Sequence, residues 1–574
     1  MIINITIPWA KSVYKLVCSL SLFGIFCSLA SSPSQAQSQP AIAGIVTSEN
    51  EGAMEGVLIS AHAPGENVTI TVVSDVNGHY SFPAGRLKAA KYSLAVRAVG
   101  YEIAQDITVE VGAKKSGDVN IKLVTTKDLA SQLTSAEWLE SVPGTREQKR
   151  ALFRCDACHS LNPVLRSKHD HTNWLATLTR MGSWWGPSTM EEPIGPSSKV
   201  WPGDPKLAEY LGSINLSAGR KTWPFELKHF SRPHGDATKV IITEYKLPRA
   251  GSLPHDLSIG HDGMIWFNDF HRMYVSKLDP TTGKVKEWMM PGLKPDLPQS
   301  SLAIELDKEG NPWLARFYQG CAATKFDVKT EKFQTWTAPA EYNDDHAACP
   351  MINVAANGMV WFTDVGRGVM FELNPKTGQV RYFDGFPPGT RKTVGGFYHF
   401  GIDEKFRSDE SHDIYGTAVD SNGDPIYNDF GGSNIATLDS KTGRVSLYPT
   451  PTTDSAPRRG TVDGDGRFWF GEYMAGQLGM FDPKTKQIKE WRPPVPWNGL
   501  YPAVADKNGD TWSGGMSTDY VYRFNQATGD WTLYLLPTLD GQIRDIRVDD
   551  SLRPVTVWVP LVKAGIIAKI EPQD

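Results

Sequence analysis

The C-terminal part of this chain repeats one short pattern seven times, and that repetition limits the fold more than any other feature. Apolar segments such as "MIWFNDF", "MVWFTDV" and "RFWFGEY" return at a spacing of about 45 residues, with one longer interval. A turn such as "HDG" or "ANG" precedes most copies, and a segment such as "KLDPTTGKVKEW" follows them. One repeat therefore holds four short strands. This strand count and period predict a seven-bladed β-propeller over residues 239–574.

The last repeat offers no fourth strand of its own. Residues 240–248, "VIITEYKLP", have the pattern of that missing strand but precede the first repeat. We therefore predict that this segment pairs into the last blade and closes the ring.

The repeats also resemble those of the virginiamycin B lyase (streptogramin lyase) family. The motifs that carry the resemblance are "PHDLSIGHDGMIWFND", "WFTD", "WFGE" and "DPKTKQIKEW". It implies a propeller with an imidazole and a carboxylate at one mouth, which remove a proton and expel a leaving group. His255 matches the Pro-His motif of the family and Glu472 its acidic position. No second Pro-His follows in the other blades.

Residues 41–124 form a separate region of alternating apolar and polar residues with turns rich in Gly, Asn and Asp. "SDVNGHYSF" is a turn between two strands, and "YSLAVRAVGY" is a further strand. These segments resemble the carboxypeptidase regulatory-like, transthyretin-like β-sandwich. The resemblance implies a fold that serves as a spacer or binding appendage and carries no catalytic groups.

Residues 128–216 have the spacing of helices and contain "FRCDACHS". Cys155, Cys158 and His159 in this segment suit a thiol redox pair, half of a zinc site or a covalent haem. Zinc needs four ligands, and no second pair of cysteines is close in sequence. A redox pair follows a strand in a βαβ unit, whereas the context here is helical. The pattern therefore favours haem c, with two thiols on one helical turn and the imidazole on the iron.

This helical region resembles a small all-α domain, the single-haem cytochrome c domain. The resemblance implies that Cys155 and Cys158 are the thioether attachments and that His159 is the proximal ligand. Met181, in "LTRMGSWWG", is the expected sixth ligand. The alternative candidates for this ligand are Met190, His169 and His171.

The N-terminus predicts export. Two lysines precede an apolar run at residues 16–30, and "SQA" follows, so residues 1–36 have the pattern of a signal peptide. No later stretch is apolar enough to span a bilayer. We therefore expect a periplasmic or secreted protein. In such a compartment Cys321 and Cys349, placed at the same mouth of neighbouring blades, are expected to form a disulfide.

Charged residues recur at equivalent positions around the predicted mouth. They suggest a polar site for a substrate or for a divalent metal, although they could also form salt bridges between blades. We assign this set to substrate binding: Arg316, Arg458, Arg544, Asp269, Asp364 and Asp429. An insertion at residues 385–413 borders the same face and suggests a lid or docking surface.

The sequence as a whole predicts a multidomain, mainly β protein with an exported redox function. Its 59 basic and 64 acidic residues give no electrostatic basis for nucleic-acid binding. We expect haem c to pass single electrons to a redox partner protein, or to take part in oxidoreduction of a small molecule at the mouth. The alternatives are a streptogramin-type lyase using His255 and Glu472, and a non-catalytic binding module with a haem relay. A quinone cofactor is disfavoured, because adjacent cysteines are absent.

Overall fold

The structure is a computed structural model. It describes residues 41–112, 118–181, 203–294, 300–317, 320–343, 349–365, 367–390, 412–551 and 553–573. The predicted signal peptide, Met190 and most of the predicted insertion at residues 385–413 lie outside these ranges.

The N-terminal segment, residues 41–125, is built from two sheets that share one apolar core. In β1 every second residue is buried, which is the pattern of a strand with one face on the core. One sheet has the order β2-β1-β9-β7, with β5 also paired to β1, and the other has the order β4-β3-β6-β8. The strands are β1 (Ile42–Ser48), β2 (Gly52–Ala53), β3 (Leu58–His62), β4 (Val68–Val73), β5 (His79–Phe82), β6 (Ala90–Arg97), β7 (Tyr101–Ile103), β8 (Ile107–Val111) and β9 (Ile121–Thr125).

The helical segment, residues 129–214, follows directly. Two of its helices begin with a capping box, in which Thr134 with Glu137 and Thr145 with Gln148 satisfy the free N–H groups of the first turn. A 3₁₀ helix, Leu129–Gln132, precedes α1 (Ser135–Ser141), α2 (Arg146–Cys155), α3 (Asn162–Leu165), α4 (His171–Met181) and α5 (Pro205–Ile214).

Six four-stranded antiparallel sheets then follow one another along the chain, each with its strands in sequence order. The first is β11 (Pro254–Ile259), β12 (Ile265–Asp269), β13 (Tyr274–Leu278) and β14 (Val285–Met289). The second is β15 (Ser300–Leu306), β16 (Pro312–Phe317), β17 (Ala322–Asp327) and β18 (Lys332–Thr337), and the third is β19 (Ile352–Val354), β20 (Val360–Asp364), β21 (Val369–Asn374) and β22 (Gln379–Asp384). The fourth is β23 (Ile414–Val419), β24 (Pro425–Asp429), β25 (Asn434–Asp439) and β26 (Arg444–Pro449). The fifth is β27 (Pro457–Val462), β28 (Phe468–Glu472), β29 (Gln477–Asp482) and β30 (Gln487–Trp491), and the sixth is β31 (Leu500–Ala505), β32 (Asp510–Gly515), β33 (Tyr520–Asn525) and β34 (Trp531–Leu535). Two 3₁₀ helices lie at Gly235–Thr238 and Ala340–Tyr342.

A closing sheet joins the end of this region to its beginning. Its strands are β35 (Arg547–Asp549), β36 (Thr556–Leu561), β37 (Ile566–Pro572) and β10 (Val240–Lys246). β10 pairs antiparallel with β37 from Val240 opposite Pro572 to Lys246 opposite Ile566. The predicted pairing of this early strand into the last repeat is therefore confirmed. Because the first strands of successive sheets contact one another and β11 contacts β35, the sheets form a propeller-like ring.

The N-terminal segment is not a loosely attached appendage. The other edge of β10 pairs with β4, so β4, β3, β6 and β8 continue the closing sheet into one eight-stranded sheet. The sequence could not show this pairing, because both strands have an ordinary strand pattern and the edge of a sheet accepts any neighbouring strand of suitable register.

A repeated turn explains why the sheets form where they do. In three of them an Asp at the turn accepts hydrogen bonds from the backbone N–H groups of the turn and from the indole N–H six residues later. The fifth sheet is an example: Asp463 accepts from Asp465 N at 2.9 Å, from Arg467 N at 2.9 Å and from Trp469 Nε1 at 2.8 Å. The same bond joins Asp307 to Trp313 and Asp506 to Trp512. Each turn is thereby fixed to the strand that follows it.

Among the residues described, no helix combines the length and the apolarity that crossing a bilayer requires.

Candidate functional site

The first strands of five sheets share an irregularity at the same place, near the start of the strand. The register shifts there between Pro254 and Leu257, and at the equivalent residues of β15, β23, β27 and β31. A bulge of this kind turns the side chains of the unpaired residues away from the regular pleat. The residues within the five bulges are His255 and Asp256, Leu302 and Ala303, Tyr415 and Gly416, Arg458 and Arg459, and Tyr501 and Pro502. We call this set the mouth cluster.

His255, Asp256 and Arg459 form the charged half of the mouth cluster. His255 Nδ1 lies 2.6 Å from Asp256 Oδ1, and Arg459 Nη1 donates to both oxygens of Asp256 at 2.6 Å. Burial, together with the positive charges of Arg459, Arg544 and Arg458, holds the pKa of His255 well below its usual value. His255 is therefore a neutral imidazole at neutral pH.

Arg458, Tyr415 and Tyr501 form the aromatic half of the mouth cluster, and Tyr473, just after β28, packs against them. The guanidinium carbon of Arg458 lies 4.1 Å from the ring centroid of Tyr501, 4.5 Å from that of Tyr473 and 4.9 Å from that of Tyr415. The hydroxyl groups of Tyr415 and Tyr501 are hydrogen-bonded to each other. Three rings around one buried guanidinium make a cation–π arrangement that fixes the arginine within the protein.

The three carboxylates that the sequence assigned to a substrate bind their own loops instead. Asp269 accepts from His271 N, Arg272 N and Arg249 Nη2 at 2.6 to 2.9 Å. Asp429 accepts from Asn434 Nδ2 at 2.7 Å and lies 2.6 Å from His412 Nδ1, and Asp364 pairs with Arg367 at 3.1 Å. All three are buried. These bonds favour the alternative of structural ion pairs over an open substrate site.

Arg316 and Glu472 are also buried. Arg316 Nη2 donates to the carbonyl of Pro291 in the neighbouring sheet at 2.7 Å. Glu472 Oε2 accepts from Gln477 Nε2 at 3.0 Å. Burial, reinforced by the charge of Glu490, raises the pKa of Glu472 to about 8, so that it is protonated at neutral pH.

No described part of the ring offers a metal site. Within the ranges that the structure covers, no three His, Cys, Asp or Glu side chains are grouped so that they could hold an ion. The arginines beside the buried carboxylates already supply the positive charge that a cation would bring.

The Cys-X-X-Cys-His segment forms one helical turn at the end of α2. Cys158 N and His159 N both donate to the carbonyl of Cys155, at 3.3 and 3.5 Å. Both cysteines are free thiols. His159 Nδ1 lies 2.8 Å from the carbonyl oxygen of Ser160. A carbonyl can only accept, so Nδ1 carries the proton and Nε2 keeps the lone pair that a metal ligand needs.

The surroundings of this turn fit a large apolar ring with polar edges. Both cysteines pack against the largest apolar cluster among the described residues, which Trp223 and Leu175 also contact. Two indole N–H groups in that cluster, of Trp138 and Trp174, are buried and have no hydrogen-bond partner. Buried donors without partners are rare, and they suit a group whose polar edge would accept from them.

Met181 is the last residue of α4 and is half-buried. Its two histidine rivals lie close to that helix: His171 is its first residue, and His169 packs edge-on against Trp174 with ring centroids 5.2 Å apart. Both histidines are exposed, whereas Met181 is half-buried.

The helical segment sits on the mouth cluster itself. Phe153, two residues before Cys155, stacks on Tyr473 and also contacts Trp497. Residues of α1, α2, α3 and α5 share one continuous apolar cluster with Tyr415, Tyr501 and other residues of the mouth. The face that was predicted to bind a substrate is therefore covered by the protein's own helices.

Polar bonds fix the turn that contains Cys155, Cys158 and His159 to the ring. Gln542 Nε2 donates to the carbonyl of Asp156 and Arg544 Nη2 to that of Ala157, both at 2.6 Å. The carboxylate of Asp156 accepts from Ser517 Oγ of the ring. Arg544, assigned to a substrate from sequence, thus binds the two-residue gap between Cys155 and Cys158.

Sequence reasoning missed Ser517 and Gln542. Ser517 follows the second strand of the sixth sheet, a position whose equivalents were used in other repeats, so the alignment of repeats could have found it. Gln542 lies two residues before Arg544 and carries no charge, so no pattern singled it out.

A disulfide links Cys321 and Cys349, with Cα atoms 5.2 Å apart. Cys321 begins the approach to β17, and Cys349 lies just ahead of β19. The bond therefore joins the second and third sheets, and both residues are buried.

The family comparison identifies one part of the chain. Residues 41–124 match the carboxypeptidase regulatory-like domain. This agrees with the two-sheet structure of that segment. A comparison with curated protein sequences finds no match.

The comparison with solved structures gives weaker similarities. A virginiamycin B lyase from Staphylococcus aureus is 17% identical with a TM-score of 0.48, and covers 58% of this chain and 99% of its own. A streptogramin B lyase is 20% identical with a TM-score of 0.48, and covers 59% and 99%. A structure described as YCF48 bound to D1 peptide is 11% identical with a TM-score of 0.42, and covers 57% and 96%. At these values the similarities decide neither activity nor substrate.

Proposed function

We propose that this protein is an exported electron-transfer protein with one covalent haem c on its helical segment, held against a seven-bladed propeller. Cys155 and Cys158 would be the attachment residues, His159 the proximal ligand and Met181 the sixth ligand. When bound, a haem of this kind supplies reversible one-electron transfer at the iron.

One observation carries this proposal: the Cys-X-X-Cys-His segment is a single helical turn with two free thiols and a correctly oriented imidazole. The carbonyl of Ser160 fixes the proton on Nδ1 of His159, which orients Nε2 for a metal. Burial lowers the pKa of His159, so the imidazole is neutral. Burial also raises the pKa of Cys155 to about 12, so that thiol stays protonated, which disfavours a reactive thiolate pair.

The ring would serve as the support of the haem segment. Tyr473, which lies beside the mouth cluster, stacks on Phe153 of α2, Gln542 and Arg544 bind the carbonyls of the attachment turn, and His255 is fully buried. Rigid support favours electron transfer, because a fixed protein environment reorganises less each time the charge of the redox group changes. The propeller as a binding support, with the haem as relay, is thus favoured over a substrate at the mouth.

Two finer points belong to the same proposal. The closing sheet β35-β36-β37-β10 counts as the seventh blade, since it repeats the four-stranded pattern of the other six. Export is supported by the signal pattern at residues 1–36 and by the disulfide, because disulfides persist in oxidising compartments.

The second candidate is a streptogramin-type lyase. The protonation states of two residues favour it. A neutral His255 could accept a proton, and a protonated Glu472 could donate one. Both side chains are fully buried, however, so a substrate could reach them only if the helical segment moved.

The proposal is tested by expressing the full chain with a cytochrome c maturation system. The wild type should carry one covalent haem per chain in the absorption spectrum of the denatured protein. The double variant Cys155→Ser, Cys158→Ser should be colourless, whereas the matched control Cys321→Ser, Cys349→Ser should keep its haem. A second control, His255→Ala with Glu472→Gln, should keep both haem and electron transfer to a small-molecule acceptor. A colourless wild type would refute the proposal.

A further inference from the structure

The two residues that bridge Cys155 and Cys158 are bound by the ring through their backbone. The carbonyls of Asp156 and Ala157 accept from Gln542 Nε2 and Arg544 Nη2. Arg544 also donates to Gln542 Oε1 at 2.8 Å, so the two side chains brace each other. We call Gln542 and Arg544 the clamp.

The loop that carries the clamp adopts an unfavourable backbone conformation. Asp540 and Gln542 have φ values of 55° and 57° although neither is glycine. Such residues are uncommon because the conformation is strained, and they cluster at functional sites. From this strained loop the side chain of Gln542 reaches the attachment turn.

An ion pair from the N-terminal segment holds this loop in place. Asp519 accepts from the N–H groups of Asp540 and Gly541 at 2.9 and 3.0 Å. Arg97, at the end of β6, donates to Asp519 Oδ2 at 3.0 Å and to the carbonyl of Leu536 at 2.6 Å. All three parts of the chain therefore meet at the loop behind the attachment turn.

Arg544 brings a positive charge to this position. It is buried, and Asp156 of the helical segment, with which it interacts electrostatically, accepts from the hydroxyl groups of Ser135 and Ser517. On the ring side, Asp540 contacts Ser160 and Lys563 lies near His159. A buried cation is screened less than one at the surface, so it acts on charge changes nearby.

We infer that the clamp positions the haem-attachment turn and that Arg544 raises the reduction potential of the haem. This inference rests on the proposed function. The oxidised iron carries one more positive charge than the reduced iron, and a neighbouring guanidinium therefore favours reduction. Gln542 and Arg544 are positioning residues, since both bind the backbone between the two cysteines, and Arg544 also acts through its charge.

The first measurement is a redox titration of the mature haem protein followed by its absorption. In Arg544→Gln the equilibrium constant for reduction should fall about tenfold, which equals 59 mV for one electron. Arg544→Lys keeps the charge and should stay within about twofold of the wild type. The matched control is Arg467→Gln, a charge removal at a turn of the fifth sheet, which should leave the constant unchanged.

The second measurement uses the full chain made without haem, and follows the rate at which a maleimide labels Cys155 and Cys158. Gln542→Leu and Arg544→Gln should label several-fold faster than the wild type, because the turn opens more often. Arg97→Gln should also accelerate labelling, because it loosens the loop that carries the clamp without touching the attachment turn. Arg467→Gln should leave the labelling rate unchanged. This arm does not depend on haem, so it separates failure of the clamp from failure of the proposed function.

Two results would overturn the inference. One is an unchanged equilibrium constant in a haem-bearing, folded Arg544→Gln protein. The other is unchanged labelling in the haem-free Gln542→Leu and Arg97→Gln variants, whose folding is checked by circular dichroism.

Discussion

Phe153 lies stacked on Tyr473, with ring centroids 4.9 Å apart and planes inclined by 24°. Phe153 belongs to the helix that ends at Cys155, whereas Tyr473 follows the second strand of the fifth sheet. The pair is fully buried. The helical segment and the ring thus share one core, and they should unfold together.

We predict that Phe153→Ala destabilises the whole protein. Removing a buried Phe side chain costs about 3 to 5 kcal/mol through lost burial and the cavity left behind. Chemical denaturation should show one transition at lower denaturant, followed both by haem absorption and by ring tryptophan fluorescence. The control is Tyr382→Ala, whose side chain is exposed. Separate transitions for haem and ring would contradict a shared core.

We predict that Met181→Ala removes the weak far-red absorption band of the oxidised haem protein, because a thioether ligand to the iron would be lost. His169→Ala and His171→Ala should keep the band. Absorption spectra of the oxidised proteins provide the measurement. A band that survives Met181→Ala would transfer the role of sixth ligand to another thioether, Met190, whereas a wild type without the band would favour one of the two histidines.

We predict that the unfolded, unreduced mature protein shows no free thiol from Cys321 or Cys349. Cross-linking two residues 28 apart in sequence should stabilise the fold by about 3 to 4 kcal/mol, chiefly by restricting the unfolded chain. Thiol titration and denaturation of Cys321→Ser, Cys349→Ser measure both effects. The attachment cysteines should be counted separately by mass spectrometry. Detection of both thiols in the wild type would refute the bond in solution.

We predict that Glu472 makes stability fall as the pH rises. Its pKa is raised to about 8, chiefly by burial, whereas an unfolded Glu titrates near 4.3. The folded protein therefore keeps a proton that the unfolded chain has lost, and this contribution is complete below about pH 4.3 and is lost as the pH rises through 8. Between pH 5 and 8 the unfolding free energy of the wild type should fall relative to that of Glu472→Gln. The control is Glu331→Gln, at an exposed site. Parallel curves of unfolding free energy against pH for Glu472→Gln and the wild type would contradict the prediction.

The sequence predicted what depends on local periodicity. The four-strand repeats and the pairing of β10 with β37 followed from recurrent patterns, because turn residues and alternating apolar residues act over a few positions. The mouth residues His255, Arg458 and Tyr501 were also found, since each lies at the same point of its repeat, where the bulges occur.

The sequence could not predict what covers the mouth. The docking of α2 depends on the shapes of two surfaces formed by residues far apart in the chain, such as Phe153 and Tyr473. Charge alone suggested that Asp269 and Asp429 serve a substrate, whereas their partners are backbone N–H groups of their own loops. The role of Arg544 changed for the same reason: a guanidinium binds a carbonyl of the protein as readily as it binds a ligand.

The strand β10, which pairs with β4 on one edge and β37 on the other, has a consequence for the order of folding during synthesis. β4 is made before β10, so β10 can find its first partner as soon as it leaves the ribosome or the membrane channel. Its second partner, β37, is the last strand of the ring to be made. Throughout that interval the N-terminal sheet can hold β10 in register as a template, which protects one edge of an aggregation-prone strand and leaves the other ready for closure.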